Sequence, residues 1–579
     1  MARRIVRRKR LVGDDRLPAD LNPVLRRVFA ARTIQSASDL DYSLERLLPL
    51  TSLGGLADAV ALLETAISEG KRIIVVGDFD ADGATSVALC LRALRLMGAG
   101  DVHYLVPNRF EYGYGLTPEI VAVAAALKPD LIITVDNGIS SVDGVAAANR
   151  HGIQVLVTDH HLPGEQLPDA AAIVNPNVKG DSFPSKNLAG VGVAFYVMLA
   201  LRARLREQGW FAQQGIAEPK LAQLLDLVAL GTVADVVPLD FNNRILVAQG
   251  IARIRAGHCA RGIRALLEAG GRKLDRIVAA DLGFIAGPRL NAAGRMDDMS
   301  VGIECLLADD ESSARELAMQ LDELNRDRRS VETDMQAQAL AAIKTMKLDA
   351  ENLPVGLCLF QPDWHQGVIG ILAARIKERF HRPVIAFARN GEGMLKGSAR
   401  SVSGLHIRDA LDAVATRHPG LIPRFGGHAM AAGLSLAEDN YAVFARAFDE
   451  EISRHLTQED LAGVVYSDGE LSDRELSLDT AQLLRDASPW GQGFPEPVFE
   501  GNFDVLSHRV VGQRHMKMML RPLGGDNEID AIAFNTAELP EPCRQLHMAY
   551  RLDVNEYRGR VTAQLIIEYI GLPRVVAPA

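Results

Sequence analysis

Two hydrophobic periodicities alternate along residues 51–240. Short, continuous apolar segments rich in β-branched residues are followed by longer segments in which apolar residues recur at helical spacing. The short segments predict strands of a largely parallel sheet, and the longer segments predict helices that cover both of its faces. The strands are predicted at residues 73–77, 102–106, 131–135 and 153–157, and the helices at residues 56–69, 86–97 and 118–127.

The pattern changes twice after residue 300. Residues 304–347 are rich in Glu, Gln, Arg, Ala and Leu and contain no Gly or Pro, which predicts one long helix, or two, that link domains. A second α/β unit is predicted next, with strands at 355–360 and 383–388 and a helix at 368–380. From about residue 460, short strands separated by turn residues favour a small β-barrel.

The predicted fold is therefore α/β, with a parallel-sheet domain and a smaller α/β domain joined by a long helix, and with a C-terminal β-barrel. A length of 579 residues is too great for one ordinary core and agrees with several domains. The predicted division is a basic N-terminal arm at 1–50, the first α/β domain at 51–303, the connecting helix at 304–350, the second α/β domain at 351–458 and the barrel at 459–579.

The composition predicts a soluble cytoplasmic protein. Hydrophobic residues make up 48% and charged residues 23% of the chain, and no apolar segment reaches the roughly 18 residues of a membrane span. The basic N-terminus lacks the apolar stretch of a signal peptide. Five scattered cysteines without CxxC spacing argue against a disulfide framework or a zinc site. The net charge of −10 does not exclude nucleic acid, because Lys and Arg can line a local groove.

Four acidic clusters fall where predicted strands end. In an open parallel sheet the ligand crevice lies outside the carboxyl ends of the strands, so these side chains are expected to meet. Carboxylates held together repel each other unless cations lie among them, and oxygen and imidazole ligands favour Mg²⁺ or Mn²⁺. The sequence therefore predicts a metal-dependent hydrolase. The clusters are Asp78-Phe-Asp80-Ala-Asp82-Gly83, Asp136-Asn-Gly138, Asp159-His160-His161 and Gly231-Thr-Val-Ala-Asp235.

Each cluster taken alone has an ordinary alternative. The first matches the start of an EF-hand loop, but Leu89 occupies the twelfth position, where a bidentate Glu is required. Asp-Asn-Gly is a common turn, and a lone histidine is more often a core residue. Asp226, nine residues before Asp235, also competes with it, although the Gly-x-x-x-Asp spacing favours Asp235.

In this order the four clusters resemble the motifs of the DHH phosphoesterase superfamily. Residues 426–433, Gly-Gly-His-Ala-Met-Ala-Ala-Gly, resemble the glycine-rich signature of its associated C-terminal domain. Three further motifs are similar to those of the bacterial RecJ family of single-strand-specific exonucleases, and the resemblance spans nearly the whole chain. They are Pro-Asn-Arg-Phe-Glu-Tyr-Gly-Tyr-Gly at 107–115, Gly-Pro-Arg-Leu-Asn-Ala-Ala-Gly-Arg at 287–295 and Trp-His-Gln-Gly-Val-Ile-Gly at 364–370.

This resemblance implies a 5′→3′ exonuclease of DNA recombination and repair that releases 5′-mononucleotides from single-stranded DNA with two Mn²⁺ or Mg²⁺ ions. His161 would face the scissile phosphate, and Asp159 would orient an imidazole. Two ions can clamp both the attacking and the leaving oxygen of a phosphodiester. The implied ligands are Asp78, Asp80 and the bridging Asp136 for one ion, and Asp82, Asp136, His160 and Asp235 for the other.

Substrate contacts are expected mainly from arginines, which bind phosphate bidentately. By resemblance, Arg109, Ser398 and Arg400 would hold the 5′-phosphate end, and Tyr114 could stack on a base. The barrel resembles an oligonucleotide-binding (OB) fold, in which alternate residues of a strand share a face, so Lys517 would lie beside His515. The remaining candidates for substrate contact are Arg289, Asn291, Arg295 and His428.

Two other functions remain open from the sequence. A DHH phosphoesterase could act on pyrophosphate, short oligoribonucleotides or cyclic dinucleotides, although the connecting helix, the barrel and the basic motifs favour a polymer. A metal-free scaffold that only binds single strands would be expected to have lost metal ligands, whereas every expected Asp and His is present. The family further suggests a monomer that works with single-strand-binding protein and a RecQ-type helicase, away from membranes.

Overall fold

The fold is described from a computed structural model of the chain. The structure describes residues 4–9, 17–32, 34–107, 115–345, 354–391, 393–402, 404–457, 460–512, 514–536, 538–540 and 544–572. Arg109 and Tyr114, which are predicted to contact the substrate, lie outside the described residues. The four cysteines within them are free thiols.

The described residues of the N-terminal arm include the strand β1 (Arg4–Arg7) and the α-helix α1 (Pro23–Ala30), which are followed by short 3-10 turns. The first α/β unit follows, and its five strands are all parallel, in the order β3-β2-β4-β5-β6. Every residue of β2 and β4 is buried, as expected for strands with helices on both faces. The elements are α2 (Leu56–Ser68), β2 (Ile73–Gly77), α3 (Ala81–Leu96), β3 (Val102–Leu105), α4 (Pro118–Ala126), β4 (Leu131–Val135), α5 (Val142–Arg150), β5 (Gln154–Thr158), β6 (Ala172–Val174) and α6 (Gly190–Glu207).

Helices alone continue the chain up to residue 345. A π-helical turn joins two of them, and α14 is the predicted long connecting helix, although it begins only at Glu311. The helices are α7 (Trp210–Gln214), α8 (Leu225–Ala234), α9 (Phe241–Arg255), α10 (Arg261–Ala269), α11 (Ala279–Asp281), α12 (Gly287–Met296), α13 (Ser300–Leu307) and α14 (Glu311–Thr345).

The second α/β unit has a mixed sheet of order β10-β11-β9-β8-β7, in which only β7 and β8 are parallel. Its helices cover a separate hydrophobic core that includes Phe387, Phe444 and Phe448. The elements are β7 (Leu357–Phe360), α15 (Ile369–Phe380), β8 (Val384–Arg389), β9 (Met394–Arg400), α16 (Ile407–Arg417), β10 (Arg424–Gly427), β11 (Ala431–Ala437) and α17 (Tyr441–His455).

The C-terminal part is the predicted barrel. Five strands close in the order β13-β14-β15-β17-β16, and closure leaves no open sheet edge. On β14, buried methionines and Leu520 alternate with outward residues, so that His515 and Lys517 share the outer face as predicted. The elements are β12 (Val464–Ser467), α18 (Leu478–Asp486), β13 (Phe499–Val511), β14 (His515–Pro522), β15 (Ile529–Ala533), β16 (Gln545–Tyr557) and β17 (Arg560–Gly571).

No single helix within the described ranges is long and apolar enough to cross a membrane. Residues 44–52 and 56–68 satisfy the length and composition of a span only as a pair, and they are bent by 91° at the break between them.

The N-terminal arm is joined to the start of the C-terminal part. Strand β1 pairs in parallel with β12, more than 450 residues later in the chain, with Arg4 opposite Val464. A buried ion pair reinforces the joint: Arg32 Nη1 lies 3.0 Å from Asp468 Oδ1, and the two side chains are 2% and 0% exposed. The Arg32 guanidinium also lies over the Trp490 ring, which stacks on Phe494. The arm therefore holds the barrel-bearing segment against the first α/β unit.

Replacing Asp468 with alanine is expected to loosen this joint. The change leaves the Arg32 guanidinium buried without its counter-charge, a loss of about 3 kcal/mol or more. The matched control is Glu470→Ala, because its ion pair with Arg7 is more than 60% exposed on both sides and is worth at most about 1 kcal/mol. Urea unfolding followed by tryptophan fluorescence should show a lower midpoint for Asp468→Ala only; equal midpoints for the two variants would contradict the assignment.

Candidate metal centre

Three of the four acidic clusters lie at the carboxyl end of the parallel sheet. Asp78 follows β2, Asp136 follows β4 and Asp159 follows β5, and these three strands are neighbours in the sheet. All three carboxylates are buried. The sequence pattern and the strand order together bring them to one edge, as expected for an open parallel sheet.

Asp80 and Asp82 lie at the start of α3, five residues earlier than the predicted helix start at residue 86. Asp80 caps the helix, since its Oδ1 accepts hydrogen bonds from the N–H groups of Asp82 and Gly83 at 2.9 and 3.0 Å. A Cβ at Gly83 would lie 2.4–2.7 Å from backbone atoms of Asp78, so only glycine allows the loop to fold this tightly. Gly83 therefore lies in the first turn of this helix.

The Asp82 carboxylate is fixed by a second helix start. Its two oxygens accept hydrogen bonds from the N–H groups of Gly190 and Val191, at 2.7 and 3.0 Å, at the N-terminus of α6. A Cβ at Gly190 would lie 2.6–2.8 Å from Asp136, so glycine permits α6 to approach the centre. The positive end of the α6 dipole offsets part of the negative charge collected there.

The fourth cluster does not follow a strand, and this part of the prediction was wrong. Asp235 lies just after α8, most of whose buried residues are apolar, so periodicity alone could not distinguish this helix from a buried strand. Its neighbour Val236 has φ +63°, a strained conformation for a β-branched residue. Asp226, the competing candidate, lies at the other end of α8, where its Oδ2 accepts a hydrogen bond from the Ala260 N–H.

The acidic residues form two groups whose ligand atoms lie within 4.8 Å of one another, and a third group, Asp136, His160 and His161, joins them. One group is Asp78, Asp80 and Asp136, and the other is Asp82, His160 and Asp235. His160 Nε2 lies 3.1 Å from Asp136 Oδ1 and 3.5 Å from Asp235 Oδ2. Asp136 has φ +63°, a left-handed conformation that aspartate tolerates better than most residues. The residues of the two predicted ligand sets therefore lie close together, and their assignment to two ions stays a prediction.

The electrostatics of the centre disfavour so many negative charges without cations. Burial, followed by the neighbouring carboxylates Asp82 and Asp80, raises the pKa of Asp136 well above its usual range. Burial, followed by Asp235 and Asp80, does the same for the pKa of Asp82. Burial and Asp80 raise the pKa of Asp235 to about 7. Divalent cations would remove the repulsion that causes these shifts.

His160 has the properties of a metal-binding imidazole. Burial and the charge of His161 lower the pKa of His160 to about 4, which keeps the ring neutral. The Leu188 backbone offsets part of this lowering of the pKa, and the Nε2 atom of the ring faces two carboxylates. A neutral imidazole whose Nε2 is directed at carboxylate oxygens belongs to a donor set that fits a Mn²⁺ or Mg²⁺ ion.

Asp159 belongs to neither of these ligand groups and instead holds the His160–His161 segment. Its Oδ1 accepts hydrogen bonds from the backbone N–H groups of both histidines and lies 2.8 Å from His161 Nδ1. Although burial opposes it, the hydrogen bond and charge of Asp159 raise the pKa of His161 to about 9. Since Nδ1 is engaged, the Nε2 side of His161 is directed away from Asp159.

Two asparagines that the sequence analysis missed also hold this segment. Asn175 Nδ2 donates to the His161 carbonyl at 2.9 Å, and Asn177 Nδ2 donates to the His160 carbonyl at 2.6 Å. Asn175 directly follows β6, so it occupies a fourth strand end at the same edge of the sheet. A search for polar residues after every predicted strand, acidic or not, would have found it.

The second α/β unit faces the centre through the loop between β10 and β11. The His428 ring lies nearly parallel to the His161 ring, at 21°, with the ring centroids 6.3 Å apart. Ala431, three residues later, pairs with Arg400 across the sheet. Helix α12 connects the two units: a Cβ at Gly294 would meet the Phe79 carbonyl, and Arg295 Nη1 donates to the Gly367 carbonyl at 3.2 Å. The cleft between the units therefore has the acidic groups on one side.

Ser398 and Arg400 form a cationic site on the other side of the cleft. Arg400 Nη1 donates to Ser398 Oγ at 3.1 Å and to the Ala399 carbonyl at 2.8 Å. A Cβ at Gly370 would lie 2.9 Å from Arg400 Nη2, so this glycine brings the start of α15 against the guanidinium. Within the described ranges, no carboxylate lies within 4.0 Å of Arg400. A half-buried guanidinium beside a helix N-terminus is suited to bind an anion.

The other predicted substrate residues have different surroundings, and their roles stay predictions. Arg289 is 6% exposed and forms an ion pair with Asp322 of α14 at 2.7 Å. Asn291 Oδ1 accepts a hydrogen bond from the Ala81 N–H, which supports the loop between β2 and α3. Lys517 lies on the outer face of the barrel, 3.7 Å from Asp530, and no described contact connects it to the centre.

Comparisons with known proteins agree on one family. Three family models match the chain: the DHH family N-terminal domain at residues 72–232, the DHHA1 domain at 352–454 and the RecJ OB domain at 467–569. Among the similar relatives, the single-stranded-DNA-specific exonuclease RecJ of Dickeya dadantii is 58% identical over 97% of this chain and 98% of its own length. The Escherichia coli protein of the same name is 56% identical over 98% of this chain and its whole length.

Solved structures give the same result. The crystal structure of RecJ from Thermus thermophilus in complex with Mn²⁺ is 32% identical, with a TM-score of 0.79 over 96% of this chain and 77% of the other. The structure of the same protein with Mg²⁺ has a TM-score of 0.74 and covers 96% of this chain and 76% of the other.

Proposed function

The chain belongs to the RecJ family of single-stranded-DNA-specific exonucleases, and on that premise we propose that it removes 5′-mononucleotides from the 5′ end of single-stranded DNA. The observation that carries the proposal is the pairing of two features across one cleft. A cluster of five carboxylates and a neutral histidine lies on one side, and the Arg400–Ser398 site lies on the other. The first suits phosphodiester hydrolysis, and the second suits a terminal phosphate.

We propose that the cluster holds two ions, Mn²⁺ or Mg²⁺. Asp78, Asp80 and Asp136 would hold one ion, and the other would be held by Asp82, His160 and Asp235 together with the shared Asp136. Bound there, the ions would lower the pKa of an attacking water and offset the negative charge of the phosphate. The solved relatives with Mn²⁺ and Mg²⁺ support the choice of metals.

The protein residues around the ions would position the reaction. Asp159 fixes His161 through Nδ1, and we propose that the ring contacts a nonbridging oxygen of the scissile phosphate through its Nε2 side. His428 lies beside that ring, on the second α/β unit, and would contact the same phosphate from the opposite side of the cleft. Contacts from both units make hydrolysis depend on their relative position, which α12 supports through the bond from Arg295 to Gly367.

The polarity of the reaction would follow from the cationic site. A terminal 5′-phosphate bound by Arg400, Ser398 and the N-terminus of α15 would place the first internucleotide phosphate toward the acidic cluster. A 3′-hydroxyl end carries no phosphate for this site. We propose the same role for Arg109, which lies outside the described residues.

We also propose that each of the predicted domains has a separate role. Residues 51–303 would hydrolyse the strand, residues 351–458 would hold its 5′ end, and residues 459–579 would guide the rest through an OB-like barrel, with Lys517 on its outer face. Family resemblance alone supports a cytoplasmic monomer that acts in recombination and repair with single-strand-binding protein and a RecQ-type helicase.

Digestion of end-labelled DNA tests the function. With Mn²⁺, 5′-labelled single strands should release labelled mononucleotide at the earliest times, whereas 3′-labelled strands should shorten gradually and a blunt duplex should remain intact. Addition of EDTA should stop the reaction. Early release of the 3′ label would contradict the polarity. Cleavage of dinucleotides with the polymer left intact would favour the small-substrate phosphoesterase, and binding without hydrolysis would favour the scaffold.

A further inference from the structure

A second cationic cavity lies at the far end of α3 from the acidic cluster. Asp82 is in the first turn of this helix and Arg92 is ten residues later, about 15 Å along the axis. Helix α8 packs against α3 and runs between the same two places, from Asp226 to Asp235. The cavity has a volume of about 680 Å³ and is also lined by α9, the start of α10 and the segment before α14.

Five arginines from three helices converge on this cavity, against three carboxylates. They are Arg92 and Arg95 of α3, Arg253 of α9, and Arg261 and Arg264 of α10. Arg92 has one loose partner, Asp309 at 3.7 Å, which is 91% exposed. In the described chain, no carboxylate lies within 4.0 Å of the other four arginines. In a protein of net charge −10, this is a local concentration of uncompensated positive charge.

The start of α10 adds to that charge. Arg261 and Arg264 occupy its first turn, which contains no acidic residue, and Ala260 at the N-cap supplies no capping side chain. Cations at a helix N-terminus oppose the helix dipole, so this arrangement costs free energy unless an anion is bound. The buried Asp226 offsets only part of this positive charge, because it accepts one hydrogen bond, from the Ala260 N–H at 2.6 Å.

A structural role accounts for only part of the arginine N–H groups. Arg92 donates to the Leu306 carbonyl, Arg95 to the Val102 carbonyl and Arg264 to the Gly257 carbonyl, which uses one terminal nitrogen of each. Within the described part of the chain, the buried Nε atoms of Arg92, Arg253 and Arg264 have no hydrogen-bond partner. Arg92, Arg95 and Arg264 thus each keep a second terminal nitrogen as a donor for a ligand.

The size and walls of the cavity identify the ligand class. A volume of about 680 Å³ is much larger than one phosphate ion and is typical of a site for a small organic molecule. Leu96, 41% exposed, and the partly exposed Leu307 form an apolar wall beside the arginines. We propose that this cavity binds a nucleoside di- or triphosphate, with its phosphates on the arginines and its base on the apolar wall.

Calorimetric titration of the full-length chain with ADP tests the proposal independently of the exonuclease assignment. EDTA is present throughout, so that binding through metal ions at the acidic cluster is suppressed. The expected result is saturable binding at one site. Replacing Arg253 and Arg264 together with glutamine should weaken it by about tenfold for each arginine. Arg150→Gln is the matched control, because Arg150 is exposed on α5 and does not line the cavity.

Several outcomes would overturn the proposal. They are the absence of ADP binding to the wild-type chain, equal binding by the double variant, and equal weakening by Arg150→Gln. Loss of ADP binding in Asp136→Asn would assign the nucleotide to the acidic cluster instead. Pyrophosphate binding as tight as that of ADP would overturn the nucleoside part. If the double variant does not fold, the single exposed change Arg261→Gln replaces it, with circular dichroism as the check.

Discussion

Replacement of Asp136 with asparagine is expected to reduce DNA hydrolysis at least about a thousandfold, ~4 kcal/mol of transition-state stabilisation, while making the metal-free fold more stable. Asp136 belongs to one ligand group and lies 3.1 Å from the histidine of the other. Asparagine keeps the size of the side chain but cannot offer a negatively charged oxygen to both proposed ions. The loss of activity should therefore accompany loss of metal binding.

The gain in stability follows from the direction of the pKa shift. Burial and the carboxylates of Asp82 and Asp80 raise the pKa of Asp136 in the folded state, so ionisation at neutral pH destabilises the metal-free fold. Asparagine removes that charge. The advantage over the wild type should disappear as the pH falls below about 3.9, the ordinary value for aspartate, because the wild-type carboxyl is then protonated in both states.

Thermal unfolding with and without Mn²⁺ measures both effects. In EDTA the variant should melt above the wild type, and saturating Mn²⁺ should reverse the order, because only the wild type gains the full stabilisation of ligand binding. The matched control is Asp334→Asn, an exposed residue in the middle of α14, which should change neither hydrolysis nor melting. A variant that melts below the wild type in EDTA would show that Asp136 stabilises the fold rather than straining it.

The sequence predicted those parts of the centre that depend on local pattern. Asp78, Asp136 and Asp159 each follow a continuous apolar segment, and the parallel arrangement of such segments brings their ends together. The outward position of Lys517 followed in the same way from strand alternation. These features can be predicted from the hydrophobic periodicity of the sequence and the geometry of a β-sheet alone.

The remaining features depend on contacts between distant segments. Asp82 is held by the N–H groups of Gly190 and Val191, 108 and 109 residues later, and no local pattern indicates that α6 begins there. Arg289 is buried against Asp322 of α14, although its motif alone favoured a substrate contact. Strand β1 pairs with β12 across most of the chain. In each case the partner is chosen by tertiary packing, which a single sequence does not encode in its periodicity.

Replacement of Arg400 with alanine is expected to abolish the preference for a 5′-phosphorylated end. A hydrogen bond to a charged group contributes about 1.5–3 kcal/mol, and a bidentate pair more, so kcat/KM on 5′-phosphorylated strands should fall about 100-fold. The same strand with a 5′-hydroxyl end offers Arg400 no terminal phosphate, so its kcat/KM should change by less than about threefold. The expected effect is thus a change in the ratio of the kcat/KM values for the two substrates.

The matched control is Arg389→Ala, on the neighbouring strand β8. Arg389 is exposed and its guanidinium is occupied by Glu438, so its loss should leave the ratio unchanged. Arg400→Lys keeps the charge without the planar fork and should restore part of the preference. Competition kinetics with a mixture of the two strands, labelled differently, measures the ratio directly in one reaction.

The ratio of kcat/KM on the two strands distinguishes two roles of Arg400: binding of the strand end and support of the metal centre. Arg400 lies beside Ser398 and Gly370, and its strand partner Ala431 is three residues from His428. If Arg400 acted only by supporting His428 near His161, both substrates would lose activity equally, and the 5′-phosphate preference would survive. A selective loss on the phosphorylated strand would instead mean that the half-buried guanidinium, which has no carboxylate partner among the described residues, is reserved for the phosphate at the strand end. Direction of hydrolysis would then be decided by the second α/β unit, and bond cleavage by the first.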